Sequence, residues 1–203
     1  ADEVKGSISV FAHVTGTPEL PDWNGWMKVE DVSMKIKKWG LALSAISGSA
    51  DIKDSKMTVS GLTARSGEGS AELGGNLVFK GFKLKKLNLL LTAADFQAMK
   101  TPDIDASLNA RLHIEGDLEY PRFRGDVEFT RLKYRPPLIL AYQGTAWESG
   151  DDTINIKGRE VPEEESSPLI DRGELDLKVK IPDTAELRNS ELNVRFGGEL
   201  TVR

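Results

Sequence analysis

The sequence predicts an all-β protein: an elongated, antiparallel-rich sheet that is built from degenerate repeats and curls over its own apolar face. Three observations support this fold class. Apolar and polar residues alternate with a period of two through most of the chain, which is typical of strands with one dry face and one wet face. Helical periodicity is nearly absent, so no helix is available to cover the sheet. A motif of glycine, proline and aromatic residues that follows an alternating segment begins at residue 13 and recurs at residue 113.

The clearest alternation predicts three strands. Between residues 105 and 115 every odd position is polar and every even position is apolar. Residues 174–181 repeat this pattern, and residues 4–14 follow it with Phe11 as the exception. Because successive side chains of a strand point to opposite faces, each segment is predicted to be a half-buried strand.

Weaker alternation predicts further strands, roughly thirteen in all, separated by turn residues such as Gly74 and Gly75. Segment 93–100 is predicted to supply one or two helical turns. Segment 158–172, which is rich in Glu, Ser and Pro, is predicted to be a solvated loop. The weaker strands are predicted at 27–36, 39–52, 57–64, 71–79, 87–93, 127–134, 139–147, 153–156 and 187–202.

Composition limits the class of function. The 203 residues include 27 Lys and Arg against 32 Asp and Glu, so the net charge is −5, which argues against nucleic acid as a partner. The absence of cysteine removes disulfides, thiolate metal sites and cysteine nucleophiles. No apolar run approaches the ~20 residues of a membrane span, and the first ten residues do not resemble a signal peptide. We therefore expect residues 1–203 to form a single segment of a longer repeat chain.

The sequence predicts neither a catalytic site nor a cofactor site. His13 and His113 lie on the polar sides of their strands, where a metal site is not expected. The glycine-rich segment 67–72 fails the dinucleotide fingerprint at its last position. Paired carboxylates at 51 and 54, at 103 and 105, and at 151 and 152 are interpreted as turn and surface residues. We expect no enzyme, no metal and no cofactor.

The internal repeat carries the most information. Residues 13–25 align without gaps with residues 113–125, and the shared frame is Gly, then Pro, then an aromatic residue two positions before Gly. The matched positions are Gly16, Pro21, Trp23 and Gly25 in the first copy, and Gly116, Pro121, Phe123 and Gly125 in the second. A third copy begins near Gly198. The predicted repeat units are about 1–112 and 113–203, and repeats of this length predict an elongated array.

This frame, following an alternating strand, resembles the recurring unit of the TamB family, the inner-membrane-anchored subunits of the translocation and assembly module within the AsmA-like group. Residues 173–203 are similar to that family as well, with an alternating strand ending in Ile181-Pro182 and a later Gly197-Gly198-Glu199-Leu200. The resemblance extends over essentially the whole chain. The anchor helix of the family and most of its repeats are not present in these residues.

The resemblance implies a taco-like β-groove with an apolar interior in the periplasm, serving outer-membrane biogenesis. It implies phospholipid as cargo, an outer-membrane barrel as partner, and an inner-membrane anchor on the full-length chain. The alternative function is a chaperone-like scaffold that offers its sheet edge to strands of nascent outer-membrane proteins. A purely structural solenoid or stalk fits less well, because the repeat is far longer than the rung of a solenoid.

The residues alone leave two architectures open: a closed, dry sandwich, or a groove whose walls stand apart and bind a ligand. In either case the same apolar positions face inward. As the lining of a lipid groove we predict Val4, Ile8, Val10, Val14, Met27, Val29, Met34, Leu41, Leu43, Val59, Leu73, Leu77, Phe79, Leu87, Leu89, Leu91, Leu108, Leu112, Ile114, Val127, Phe129, Ile154, Ile156, Leu175, Leu177, Val179, Leu192, Val194, Leu200 and Val202.

Overall fold

The computed structural model describes residues 4–17, 21–135, 173–188 and 193–203. These residues form one sheet of ten strands, confirming the predicted all-β class. A 3₁₀ turn at Lys37–Trp39 joins the second strand to the third. The strands are β1 Val4–Gly16, β2 Pro21–Ile36, β3 Leu41–Lys53, β4 Lys56–Ser66, β5 Gly69–Lys80, β6 Lys83–Lys100, β7 Ile104–Gly116, β8 Pro121–Tyr134, β9 Glu174–Arg188 and β10 Asn193–Val202.

The strands lie side by side in chain order, from β1 at one edge of the sheet to β10 at the other. All neighbouring pairs are antiparallel except β8 and β9, which are parallel. We call the sheet margin that carries the β3–β4, β5–β6 and β7–β8 turns the upper lip. The opposite margin, which carries the 3₁₀ turn and the β4–β5 and β6–β7 turns, is the lower lip. Because β1 and β10 do not pair with each other, the sheet is open rather than closed into a barrel.

Several predicted elements differ from the structure. Gly74 and Gly75, predicted to be turn residues between strands, lie inside β5 and pair with Leu90 and Leu89 of β6. The helical turns predicted at 93–100 are wrong, since these residues complete β6 and pair with β7 through Phe96 with Leu108 and Met99 with Ala106. So short an isolated helix is marginal in water, and cross-strand pairing overrides its weak periodicity. The single strand predicted at 187–202 is instead the end of β9 and the whole of β10. The strands predicted at 139–147 and 153–156 and the loop at 158–172 lie outside the described residues.

The two copies of the repeat form hairpins with the same register. In the first hairpin Val14 pairs with Trp23 and Gly16 with Pro21, and in the second Ile114 pairs with Phe123 and Gly116 with Pro121. The last glycine of the frame serves close strand approach in both copies. A Cβ at Gly25 would overlap the carbonyl oxygen of Phe11, and one at Gly125 would overlap that of Arg111. The repeated sequence therefore specifies a repeated pair of strands.

β-Bulges bend three of the strands part-way along their length. Asp31 in β2, Ala45 in β3 and Asp95 in β6 have positive φ angles of 49°, 49° and 45° and lie at shifts of the pairing register. A side chain of the next strand stabilises two of these bends. Ser47 Oγ accepts a hydrogen bond from the Asp31 N–H at 3.1 Å, and Asn109 Oδ1 accepts one from the Asp95 N–H at 2.8 Å. Bulges bend strands and increase their twist, so these positions give the sheet its curvature.

The curvature brings non-neighbouring strands together. Strands β3 and β6 would lie about 14 Å apart in a flat sheet, at three strand spacings, yet their Cα atoms approach within 8 Å. The Ser66 hydroxyl, at the β4–β5 turn, donates a hydrogen bond to the backbone oxygen of Gln97 in β6 at 2.8 Å. At the upper lip, the rings of Trp23 and Phe82 meet edge to face with centroids 5.0 Å apart. Because Trp23 lies on the apolar face, the sheet curls toward that face.

The curled sheet does not close over a dry core. The buried large apolar side chains among the described residues are Val32, Leu41 and Leu87, and the other buried apolar residues are alanines and the two prolines of the repeat, Pro21 and Pro121. Exposure rises toward the sheet edges, where Val10 of β1 remains 65% exposed. A closed sandwich would bury the facing side chains of both walls. The structure therefore has the open architecture of the two that the sequence allowed.

Candidate functional site: an apolar trough

The pairing register places the predicted lining residues of the described strands on one face. Across the middle of the sheet, Leu73 pairs with Leu91, Leu91 with Leu112, and Leu112 with Gly125. In the same way Val127 pairs with Val179, and Val179 with Leu200. Rows of apolar side chains thus cross the sheet at right angles to the strands. We call this concave apolar face the trough. The predicted lining residues Ile154, Ile156 and Leu192 lie outside the described residues.

Sequence reasoning missed several trough residues, mainly those beyond a bulge. Pairing places Ile46, Leu62, Phe96 and Leu132 on the apolar face. Each follows a register shift that interrupts the alternation, so a strict period of two assigns these side chains to the wrong face or to none. An aspartate before an apolar residue, as at Asp31 and Asp95, is a signal that could have located two of the shifts.

Four alanines form part of the floor of the trough. Ala64, Ala71, Ala93 and Ala110 come from four successive strands, and each pairs directly with the next. Their small side chains leave a shallow groove that runs across the strands. Leucines lie one row above this floor, where Leu73 pairs with Leu91. A line of small residues between rows of larger ones makes a furrow that crosses β4 to β7 at right angles to the strands.

An apolar cavity lies in the trough below the upper lip. It has a volume of about 190 Å³ and is lined by Trp23, Ile52, Met57, Phe79, Gly81 and Phe82. The indole Nε1 of Trp23 is buried and finds no acceptor among the described residues. For comparison, an engineered apolar cavity of ~150 Å³ stays dry and binds benzene. The cavity is therefore large enough for a small hydrocarbon group, with one unsatisfied donor in its wall.

The opposite, convex face is mainly polar, and its facing charges are complementary from β7 to β10. Glu115 Oε1 lies 3.2 Å from Arg124 Nη1, and Lys133 Nζ lies 3.7 Å from Glu186 Oε2. Lys180 Nζ lies 2.8 Å from Glu128 Oε1 across the parallel pair of strands. These contacts are exposed and add little stability one by one. Together they favour the observed register of the outer face.

The Glu128–Lys180 contact depends on pH in two directions. The hydrogen bond from Lys180, and then its positive charge, lower the pKa of Glu128, and the same contact raises the pKa of Lys180. The contribution of Glu128 to folding stability is therefore present at pH values above its unfolded-state pKa and is lost as the pH falls through the lowered pKa. The contribution of Lys180 to folding stability is present at pH values below its unfolded-state pKa and is lost as the pH rises through the raised pKa. The contact thus supports the β8–β9 register throughout the neutral range.

The two histidines lie away from the trough. His13 pairs with Asn24 and His113 with Arg124, both on the convex face. No group of three or more His, Asp or Glu in the described ranges is placed to hold a metal ion. Segment 67–72 forms the β4–β5 turn and the start of β5. Nor does the described part of the chain contain a helix long and apolar enough to cross a bilayer.

Three tryptophans occupy different surfaces. Trp23 lines the trough below the upper lip, and Trp39 lies in the 3₁₀ turn at the lower lip, where it is exposed. Trp26 lies on the convex face, where it stacks on Phe11 with ring centroids 6.4 Å apart. This contact explains why Phe11 breaks the alternation of β1: an aromatic partner opposes it on the outer face. Trp147 lies outside the described residues.

Comparison with protein families shows which family the chain is similar to. Residues 60–203 match the family model of the TamB C-terminal domain. The match covers β5 to β10, most of β4 and the residues between β8 and β9, which together hold more than half of the chain. No curated protein and no solved structure shows significant similarity to the chain.

Proposed function

This chain belongs to the TamB family, whose members serve outer-membrane assembly and lipid transport in the cell envelope, and we propose that its trough carries phospholipid acyl chains between the inner and outer membranes. One observation supports this proposal. The trough is a continuous apolar face that lies on the inside of the curled sheet, and no other described part of the chain covers it.

The size of the trough suits a single acyl chain. Ten strands at about 4.8 Å spacing extend roughly 43 Å from β1 to β10. An extended acyl chain spans about half of a bilayer core of ~30 Å, or roughly 15 Å. Each methylene group that leaves water for the trough contributes about 0.8 kcal/mol. A chain lying across the strands would gain this stabilisation in the alanine furrow of β4 to β7 and equally over the apolar rows that continue into the neighbouring strands, which favours movement across the sheet over binding at one point.

The phospholipid headgroup would remain outside the trough, in water along the open side. In this proposal the protein acts in the periplasm, and the full-length chain is anchored in the inner membrane and contacts an outer-membrane barrel. Anchor and barrel partner are carried over from the family resemblance. The described residues contribute the apolar surface between these two ends.

Two tryptophans of β2 test the proposal, because Trp23 faces the trough and Trp26, three residues later, faces away. We expect phospholipid brominated on its acyl chains to quench Trp23 fluorescence several-fold more strongly than Trp26 fluorescence. The measurement uses two variants, each retaining one of these tryptophans with the other three replaced by Phe. Equal quenching of both, or quenching of Trp26 alone, would contradict binding in the trough.

The second candidate function, a scaffold for outer-membrane barrel proteins, has a different observation in its favour. Among the described strands β1 has a neighbour on one side only, and its residues are exposed. An unpaired strand edge offers a row of backbone donors and acceptors to an added strand. The two functions make opposite predictions for substitutions in the trough, since strand capture depends on the backbone of the sheet edge.

A further inference from the structure

Lysines are concentrated at the upper lip. The β3–β4 turn and its flanks, residues 53–56, carry two lysines and one aspartate. Residues 80–86, around the β5–β6 turn, carry four lysines and no acidic residue. The two segments therefore hold six positive charges and one negative charge, or +5, in a chain whose net charge is −5. The lysines are Lys53, Lys56, Lys80, Lys83, Lys85 and Lys86.

Four of these lysines face one another across the strands instead of facing carboxylates. Lys53 is the direct cross-strand partner of Lys56, and Lys80 is the direct partner of Lys83. Like charges directly opposite each other destabilise a sheet. Elsewhere on the convex face the facing charges are complementary, as for Glu128 and Lys180. Within the described chain none of the six lysines forms an ion pair.

Two carboxylates of the same lip, on the β7–β8 turn, offset part of this positive charge. Asp117 and Glu119, on the neighbouring β7–β8 turn, share with Lys83 and Lys85 a shallow cavity of about 530 Å³. The Asp117 carboxylate accepts hydrogen bonds from the N–H groups of Glu119 and Tyr120, at 2.9 and 2.7 Å. The three turns of the upper lip therefore carry six positive and three negative charges, and this net charge of +3 is available to an external anion.

Apolar side chains project from the same lip. Phe82, at the tip of the β5–β6 turn, is 71% exposed, and Leu118 and Tyr120 on the next turn are also exposed. Exposed aromatic residues flanked by lysines are the side chains that proteins place at the boundary between headgroups and acyl chains. A soluble anion would account for the lysines but not for the exposed Phe82, whereas an anionic bilayer accounts for both.

The geometry points to the upper lip as a docking surface for an anionic phospholipid bilayer, with Lys80, Lys83, Lys85 and Lys86 over the headgroups and Phe82 inserted among them. Phe82 also contacts Trp23 at the rim of the apolar cavity. Docking would therefore bring the opening of the trough to the membrane surface. The inference does not depend on whether the trough carries lipid, because adsorption to a vesicle is measured separately from loading of the trough.

Vesicle flotation tests the inference. The purified chain is expected to float with vesicles of phosphatidylglycerol and phosphatidylcholine in roughly equal parts, and not with vesicles of phosphatidylcholine alone. Each lysine near an anionic surface contributes about fivefold in affinity. The variant K80Q/K83Q/K85Q/K86Q should therefore lose anionic binding by far more than tenfold. Because it removes a like-charge pair, this variant should melt no earlier than the parent chain, which circular dichroism checks.

A matched control removes the same number of charges elsewhere. The variant K35Q/K38Q/K100Q/K178Q leaves the upper lip intact and should retain most of the anionic binding. Phe82→Ser should weaken adsorption several-fold with the charge unchanged. Failure of the parent chain to bind anionic vesicles, equal binding to both kinds of vesicle, or equal loss in the two quadruple variants would overturn the inference. Unchanged binding of Phe82→Ser would overturn the insertion of that side chain.

Discussion

Leu89→Asp is expected to abolish lipid transport by the full-length chain while leaving the chain folded. Leu89 lies in the trough between Gly75 of β5 and Ile114 of β7 and is half-buried. Water in the open trough can solvate the new carboxylate, so the expected loss of stability is about 1–3 kcal/mol. An acyl chain passing over it would strip that water from a charge, which costs several kcal/mol more. The measurement is outer-membrane permeability to a hydrophobic dye, together with the amount of lipid that co-purifies with the protein.

Asn88→Asp is the matched control, since it introduces the same charge one residue away, on the convex face. We expect normal permeability and normal co-purifying lipid from this variant. If Leu89→Asp also left both readouts normal at equal protein levels, the trough would not be the lipid path. The scaffold function would then be favoured, because the backbone groups at the β1 edge are untouched by either substitution.

Gly75→Ala is expected to destabilise the sheet by more than about 2 kcal/mol. The φ angle of Gly75 is 138°, a conformation that L side chains rarely adopt, and an added Cβ would overlap the carbonyl oxygen of Asn88 in β6. Relief would require the central strands β5 and β6 to separate at this point. Urea unfolding followed by circular dichroism measures the change as a lower midpoint.

The neighbouring Gly74 provides the control for this prediction. Its backbone is ordinary for a strand, and an added Cβ would come no closer than 3.6 Å, to the carbonyl oxygen of Val59. Gly74→Ala is therefore expected to be neutral or to stabilise the chain by about 0.5–1 kcal/mol, by restricting the unfolded state. Equal destabilisation by both substitutions would show that the close approach at Gly75 does not determine the effect.

Much of the fold follows from side-chain alternation. The period of two in β7 assigns Leu108, Leu112 and Ile114 to one face, and their pairing partners in β6 and β8 lie on that face as well. The repeat also transfers directly into structure, because Pro21 and Pro121 begin equivalent strands. Local pattern is sufficient here since one apolar face fixes the register of each strand.

Other features depend on interactions between distant residues. The positive φ of Ala45 arises where β3 bends against β4, and no local preference of alanine predicts it. The parallel pairing of β8 with β9 involves residues far apart in the chain, such as Val127 and Val179. Whether the walls close or remain apart is set by the curvature that such bulges produce. Alternation alone therefore could not decide between a sandwich and a trough.

Site-specific photocrosslinking tests the central claim most directly. A photoreactive residue placed at Leu89 or Leu112 lies in the trough, whereas the same residue at the adjacent Asn88 or Arg111 lies on the convex face. After irradiation in cells and purification, mass spectrometry identifies any lipid bound covalently at each position. The account predicts phospholipid adducts at Leu89 and Leu112 and none at Asn88 or Arg111. Adducts at the two convex positions only would contradict it.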